Sequence, residues 1–178
     1  GTGSFGNAVL NGILTSDIGE IRIFSRDEKK QDDMRHQYQA KYPKYSDKIK
    51  FYIGDVRDIR SLRNAMHGVD YIFHAAALKH VPLCEYNPFE AVNTNVIGTQ
   101  NLLEVTREEH VGKVVSISTD KAVNPINTMG ATKLLSEKLV MRAHIGDKCT
   151  TKFSCVRFGN VLGARGSIVP LFQKQIAE

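Results

Sequence analysis

Short runs of β-forming residues alternate with longer runs of helical periodicity along the chain. The strand-like runs are rich in Ile, Val, Phe and Tyr, and they span residues 20–25, 48–53, 70–75, 113–118 and 151–158. Helical patterns predict helices over residues 5–15, 27–41, 58–67, 88–110 and 128–146. Strands separated by helices indicate βαβ units, so we predict an α/β fold with a doubly wound parallel sheet and helices on both faces.

The composition narrows the class of protein. The 178 residues are 42% hydrophobic and 24% charged, which is ordinary for one globular domain with a sizeable core. The net charge of +5 fits either a mildly basic surface or an anionic ligand, but no basic block is long enough for a nucleic-acid arm. Three cysteines without CxxC spacing predict neither disulfides nor a zinc site, and a reduced cytoplasmic compartment fits.

The two ends of the chain shape the domain prediction. The chain opens directly on GTGSFG and stops inside the helical pattern SIVPLFQKQIAE, so we expect an excerpt of a longer protein. No apolar run approaches membrane-spanning length and no signal peptide is found, so we expect no membrane insertion by this segment. Residues 1–178 are predicted to form one NADP-binding Rossmann-type domain, in which residues from about 158 to 178 begin the substrate region.

The opening segment has the spacing of a phosphate-binding loop. Gly1, Gly3 and Gly6 form G-x-G-x-x-G, which permits a tight turn and close approach of a pyrophosphate to a helix N-terminus. Ser4 and Phe5 lie in the same loop. The strand that usually precedes the motif would lie before residue 1, and a glycine-rich turn is the alternative. The helical run and βαβ order that follow favour a dinucleotide site.

The next strand ends in a basic loop. Ser25 and Arg26, with Lys29 close behind, stand where an NAD site usually carries a carboxylate for the ribose hydroxyls. A guanidinium and a hydroxyl suit a 2′-phosphate, so we predict NADP as the cofactor, with a solvated basic loop as the alternative.

Two further strand ends contribute to the predicted cofactor site. Asp55 and Val56 are placed to meet the adenine, and the acid would accept a hydrogen bond from its amino group. The small residues Ala75, Ala76 and Ala77 allow close contact with the phosphate–ribose region, although a well-packed turn would also favour alanines.

Seven segments resemble the extended short-chain dehydrogenase/reductase superfamily over nearly the whole chain: GTGSFG, GDVRD, HAAALKHVP, NTNVIGTQNLLE, STDKAVNP, MGATK and RFGNVLGARGS. Within it, STDKAVNP followed by GATK and RFGNVLG resembles the UDP-N-acetylglucosamine 4,6-dehydratases that invert C5. That group supplies precursors of bacterial surface polysaccharides. Met129 replaces the usual tyrosine, which resembles an M-x-x-x-K branch linked to capsule and O-antigen sugars.

The resemblance implies a set of catalytic roles. Asp120 is the implied acid and Lys121 the implied base, which requires a protonated carboxyl and a neutral amine near neutral pH. Lys133 would bond the nicotinamide ribose. Met129 has no proton to exchange, so it is expected to shape the site. The C4 hydroxyl would lose its proton to Lys133, directly or through a water, or to Thr119 relaying to a nearby base.

The predicted substrate contacts also follow the resemblance. Lys79 and His80 follow a strand and are expected to meet the sugar or the diphosphate, and Asn95 is expected on a helix facing the site. Asn160 and Arg165 complete the set for a UDP-N-acetylglucosamine substrate. His74 is predicted to be a core residue. No histidine pair has a metal-ligand spacing, and a homo-oligomer is expected.

Two other functions compete with a dehydratase. A 4-epimerase or a retaining 4,6-dehydratase would use the same fold, but an epimerase needs no Asp120–Lys121 pair. The other is a catalytically silent NADP-binding module. Met129 favours the silent module, whereas intact Asp120, Lys121 and Lys133 argue against it.

Overall fold

The computed structural model describes residues 1–145, 150–161 and 168–177. The strands of this part are β1 (Ile21–Ser25), β2 (Ile49–Ile53), β3 (Tyr71–His74), β4 (Lys113–Thr119) and β5 (Lys152–Phe158). The α-helices are α1 (Ser4–Ile13), α2 (Glu28–Lys41), α3 (Ile59–Met66), α4 (Val81–Tyr86), α5 (Pro88–Ala91), α6 (Gly98–Glu108), α7 (Thr128–His144) and α8 (Ile168–Ala177). Short 3₁₀ helices span Ser46–Lys48 and Asp120–Ala122, and a π-helix spans Val92–Ile97.

All strand pairs in the described part are parallel, which confirms the predicted α/β class. β1 pairs with β2, and β4 lies between β3 and β5. The ladders form a group of two strands and a group of three, because no hydrogen-bonded ladder joins β1 to β3 in the described residues. Alternation of strands and helices predicts which segments are strands, but it does not state which of them pair. In each ladder the carboxyl ends of the strands meet at one edge, where ligands bind in α/β proteins.

Two apolar clusters hold the helices to the sheets. The smaller one packs α1 and α2 on β1 and β2 through Leu10, Leu14, Ile23, Met34, Tyr38 and Ile49. The larger one joins α3, α6 and α7 to the other sheet through Val56, Leu62, Met66, Leu102, Leu103, Val105, Val111, Val114, Val140, Ala143 and Phe153. In α3 the buried residues Leu62, Ala65 and Met66 follow the i, i+3, i+4 spacing of a helix with one buried face.

The predicted helix over residues 88–110 is interrupted. It consists of α5, the π-helix and α6, and at the junction the Gly98 N–H donates to the Asn93 carbonyl five residues earlier. α4 was not predicted, because six residues with a proline in the first turn present little helical periodicity. No helix in the described ranges is long and apolar enough to cross a membrane.

Candidate active site

The glycine loop and α1 form the first wall of the candidate site. Gly3 is the N-cap of α1 and extends no side chain over the helix N-terminus. A Cβ on Gly6 would lie 1.9 Å from the carbonyl oxygen of Gly1, so only glycine fits there. This close approach is the packing that the last glycine of a dinucleotide-binding loop provides. The residues present therefore fit a pyrophosphate at the end of α1.

Phe5 belongs to this loop, and the three predicted alanines follow β3. The Phe5 ring lies between two aromatic rings, 6.5 Å from Phe73 and 6.3 Å from Phe158 between centroids. It therefore joins α1 to the ends of β3 and β5. Ala75 and Ala76 are exposed and Ala77 is half-buried, just after β3. These small side chains leave the adjoining backbone accessible.

The end of β1 gathers part of the predicted ribose site. The hydroxyl of Ser25 lies 3.3 Å from that of Thr2 in the glycine loop and accepts the Asp27 N–H. The Arg26 side chain is 54% exposed and lies 3.6 Å from the Asp55 carboxylate. Lys29 instead pairs with Asp33 at 3.0 Å along α2. The structure thus brings Ser25, Arg26 and Asp55 together, while Lys29 is directed along its own helix.

Asp55 and Val56, which follow β2, differ in burial and in their contacts. Burial works to raise the pKa of Asp55, but hydrogen bonds from the side chain and backbone of Arg57 outweigh it and lower the pKa. The carboxylate is therefore ionised and able to accept. Val56 is buried in the larger core cluster beneath Gly98, where a Cβ would come within 2.6 Å of the valine methyl. Its side chain therefore packs in the core, and its contact with the adenine stays a prediction.

A hydrogen-bonded triad lies at the end of β4. Thr119 Oγ1 donates to Asp120 Oδ1 at 2.9 Å, and Lys121 Nζ donates to the same oxygen at 3.2 Å. Lys121 Nζ also lies 3.5 Å from Asn160 Oδ1, which follows β5. These four residues, predicted separately as catalytic or substrate-binding, therefore meet at one point.

The protonation state of Asp120 differs from that expected of an acid. Its hydrogen bond from Thr119, and then that from Lys121, lower the pKa of the carboxyl. The catalytic role implied by the resemblance requires a raised pKa. The direction is reversed because the side chain is 57% exposed and receives two hydrogen bonds that favour the anion. The protein groups alone therefore hold an Asp120–Lys121 ion pair.

The first turn of α7 is fixed from three sides. Asn127 caps the helix by accepting the Gly130 N–H at 2.8 Å. Glu85 of α4 accepts the Thr128 N–H at 2.6 Å. A Cβ on Gly130 would meet the Lys121 carbonyl oxygen at 2.5 Å, so the helix backbone lies directly against the 3₁₀ turn that carries the triad. Neither Glu85 nor Gly130 was identified from sequence, because both act through contacts between distant segments.

Lys133 and Met129, one turn apart on α7, have different surroundings. The Lys133 side chain is buried, and Nζ donates to the Ile117 carbonyl at 2.6 Å. Burial lowers the pKa of this amine, as a proton acceptor near neutral pH requires. Met129 is 5% exposed and packs with Cys84 and Ala91 in a small apolar cluster. The thioether therefore fills space beneath α4 and α5.

Asn95 has a different place from the one predicted. It is 1% exposed, and its Oδ1 accepts the Leu78 N–H at 2.8 Å. Its Nδ2 donates to the Leu78 carbonyl and to Thr132 Oγ1. Both amide donors are thus used within the protein, so Asn95 holds the segment after β3 rather than facing the substrate.

The remaining predicted residues separate into three groups. Lys79 and His80 are exposed and follow the segment that Asn95 holds. Arg165 lies outside the described residues. His74 is a buried core residue as predicted, bonded to Thr99 Oγ1 at 3.0 Å, and burial followed by the Lys133 charge lowers its pKa to about 3. In the part of the chain that the structure describes, no group of three or more His, Cys, Asp or Glu could hold a metal ion.

A parallel α/β fold with a glycine loop at a helix N-terminus belongs to the Rossmann-like class of folds, and here an Asp–Lys pair lies at the end of one strand. Residues 1–178 match the family described as "Polysaccharide biosynthesis protein", and the chain belongs to that family. A curated relative from Rickettsia felis, named UDP-glucose 4-epimerase, is 55% identical over all of this chain and 52% of its own length. The chain spans about half the length of the curated relatives it matches.

Two solved structures place the fold. The X-ray structure of Pen from Bacillus thuringiensis is 43% identical with a TM-score of 0.93, over 99% of this chain and 54% of that one. A mutant of DesIV, a dTDP-glucose 4,6-dehydratase from Streptomyces venezuelae with NAD bound, has a TM-score of 0.74 at 22% identity. It covers 97% of this chain and 57% of that one, and it supports the fold alone.

Proposed function

We propose that the protein is an NADP-dependent nucleotide-sugar enzyme that dehydrates UDP-N-acetylglucosamine across C4–C6 and inverts C5. The observation that carries this proposal is the Asp120–Lys121 pair at the end of β4, 3.2 Å apart and bonded to Thr119. A reaction confined to C4 needs no such pair. The product is a 4-keto-6-deoxy sugar nucleotide for bacterial surface polysaccharides.

We assign three proton transfers of this reaction to residues of the candidate site. The bound cofactor would accept a hydride from C4 and return it at C6. Lys133 is buried and its pKa is lowered, so its neutral amine would accept the proton of the C4 hydroxyl. Lys121 would remove the C5 proton, and Asp120 would protonate the departing C6 hydroxyl. Two protons leave the sugar and two are returned, one in the released water and one at the opposite face of C5.

The ion pair is compatible with these roles because it already contains the required proton. Moving one proton from Lys121 Nζ to Asp120 Oδ1 produces both a neutral amine and a protonated carboxyl. No proton from solvent is needed. Covering the pair with substrate lowers the local dielectric and favours the neutral forms of both groups. Asn160, 3.5 Å from Lys121, would contact the sugar from the same side.

The cofactor is proposed to be NADP because Arg26 stands, half-exposed, at the end of β1 beside Ser25. Arg26→Ala should weaken NADP(H) binding by about 1.5–3 kcal/mol, the range for a charged hydrogen bond, and leave NAD(H) binding nearly unchanged. Titration of both reduced cofactors by fluorescence measures this. Equal weakening of both would refute the 2′-phosphate assignment.

A 4-epimerase is the second candidate, favoured by the name of the curated Rickettsia relatives. Incubating the complete protein with UDP-N-acetylglucosamine and following the product by NMR separates the two, because only the dehydratase yields a 6-deoxy sugar. In deuterated solvent the dehydratase also exchanges the C5 hydrogen. Lys121→Ala should abolish this exchange, whereas the exposed Lys138→Ala serves as a matched control. Exchange at the parent rate in Lys121→Ala would exclude Lys121 as the base.

A silent NADP-binding module is the candidate of another class. The buried Lys133, whose pKa is lowered, and the Asp120–Lys121 pair argue against it, since a module that only binds cofactor needs neither. We further propose that the protein is cytoplasmic and forms a homo-oligomer. The support for the oligomer is the apolar surface that α7 exposes at Leu135 and Met141, each about half exposed. Sedimentation of the complete protein tests the oligomer.

A further inference from the structure

The carboxylate of Asp55 is approached by two arginines. Arg57 donates to Oδ2 through Nη2 at 2.7 Å and Nε at 2.9 Å, and its backbone N–H donates to Oδ1 at 3.0 Å. Arg26 reaches the same Oδ2 only at 3.6 Å. Arg57 therefore makes the closer, two-pronged pair, and Arg26 makes a looser one.

Arg57 is held in this position by the helices on its other side. Its Nη1 donates to Glu90 of α5 at 2.7 Å, and its carbonyl accepts from Asn101 Nδ2 of α6 at 3.1 Å. The guanidinium is thus fixed at both ends, with 37% of the side chain exposed. It is a bridge between the cofactor side of the sheet and the helices after β3.

The geometry has a consequence for an anion bound at Arg26. An ionised Asp55 beside Arg26 competes for its guanidinium and repels a phosphate dianion. The short contacts with Arg57 offset that charge and leave Arg26 half-exposed at the end of β1. An uncharged residue at position 57 would free Asp55 to close on Arg26.

We propose that Arg57 determines cofactor specificity by neutralising Asp55, which keeps Arg26 available for the 2′-phosphate of NADP. Arg57 acts through Asp55, so it is a positioning residue. The inference rests on the proposed NADP dependence of the protein and extends it to a residue outside the predicted phosphate contacts. NAD lacks the 2′-phosphate and shares the adenine contact, so its binding should be almost insensitive to residue 57.

Cofactor titrations on the complete protein test the proposal without any catalytic turnover. The dissociation constants of NADPH and NADH are measured for the parent, Arg57→Gln, Arg57→Lys, Asp55→Asn and the double variant Arg57→Gln/Asp55→Asn. Arg57→Gln should weaken NADPH by about three- to fivefold, the range for a partly exposed charge pair, and change NADH by less than about twofold. The double variant should recover the parent preference, because the uncompensated carboxylate is gone.

The other variants distinguish an effect of the Arg57 charge from a failure of the variant to fold. Arg57→Lys keeps the charge and should retain most of the preference. Asp55→Asn should keep or increase it even if Arg57→Gln fails to fold. A parent protein without any preference for NADPH overturns the NADP assignment and this inference together. A parent preference that survives in Arg57→Gln, or falls in Asp55→Asn, overturns the role of Arg57 alone.

Discussion

Replacing Gly130 with alanine tests whether the contact between α7 and the 3₁₀ turn positions the candidate catalytic groups. The added Cβ would lie 2.5 Å from the Lys121 carbonyl oxygen and 3.2 Å from Pro125 Cβ. The first distance is about 0.9 Å short of the 3.4 Å at which ordinary contact begins, so the backbone must move by roughly that amount. Overpacking of this kind costs about 1–3 kcal/mol, and the better helix propensity of alanine returns about 0.5–1 kcal/mol.

The loss of activity should exceed the loss of stability. A displacement near 1 Å in a positioned site lowers the rate by about 10²-fold, and here it would move the 3₁₀ turn that carries Lys121 away from α7. Urea unfolding and turnover of UDP-N-acetylglucosamine measure the two effects. Gly12→Ala in α1 is the matched control, because no atom lies within 4 Å of its added Cβ. If Gly130→Ala kept parent turnover, the contact would have no role in catalysis and our account of α7 would be wrong.

Three further predictions concern α7 and the buried histidine. Met129→Leu should reduce turnover by less than about tenfold, because a volume-conserving swap in an apolar cluster costs under about 1.5 kcal/mol; abolished turnover with normal NADP(H) binding would contradict a packing role. Lys133→Met should reduce turnover by more than about 10²-fold, the usual contribution of a proton-transferring group. Equal losses of turnover in Lys133→Met and Met129→Leu would exclude Lys133 as the proton acceptor. His74, with its pKa near 3 in the folded protein and about 6.5 unfolded, should destabilise the fold as pH falls between these values, because only the unfolded imidazole takes up the proton. Urea unfolding of His74→Gln across this range should show a shallower decline, and an unchanged slope would refute this linkage.

The strands were predictable from sequence because each combines β-branched or aromatic residues with a clear turn at either end. All five agree with the structure to within one residue at each boundary. The glycine loop was predictable for a similar reason, since the spacing of Gly1, Gly3 and Gly6 reports a local backbone geometry. The Asp120–Lys121 pair was located because its two members are adjacent in sequence.

The supporting residues were not predictable because their partners lie far away in sequence. Glu85 caps α7 across 43 residues, and Arg57 reaches Glu90 across 33. The contacts of Asn95 were not predictable either, because its partners Leu78 and Thr132 lie far away in sequence. The ionisation of Asp120 likewise depends on hydrogen-bond geometry that the order of residues does not contain.

The π-helix at Val92–Ile97 joins α5 to α6 without a loop, so it determines which face of each helix points into the protein. Before it, Ala91 packs against Met129; after it, Leu102 and Leu103 enter the larger core cluster. A π-helical turn holds one residue more than an α-helical turn, because its hydrogen bonds span five residues rather than four. Removing one residue from this segment would let the turn close into an α-helix, so Ala91, Leu102 and Leu103 would all keep their places. A one-residue deletion is therefore absorbed better here than in the flanking α-helices, where each residue removed rotates the side chains after it by about 100°.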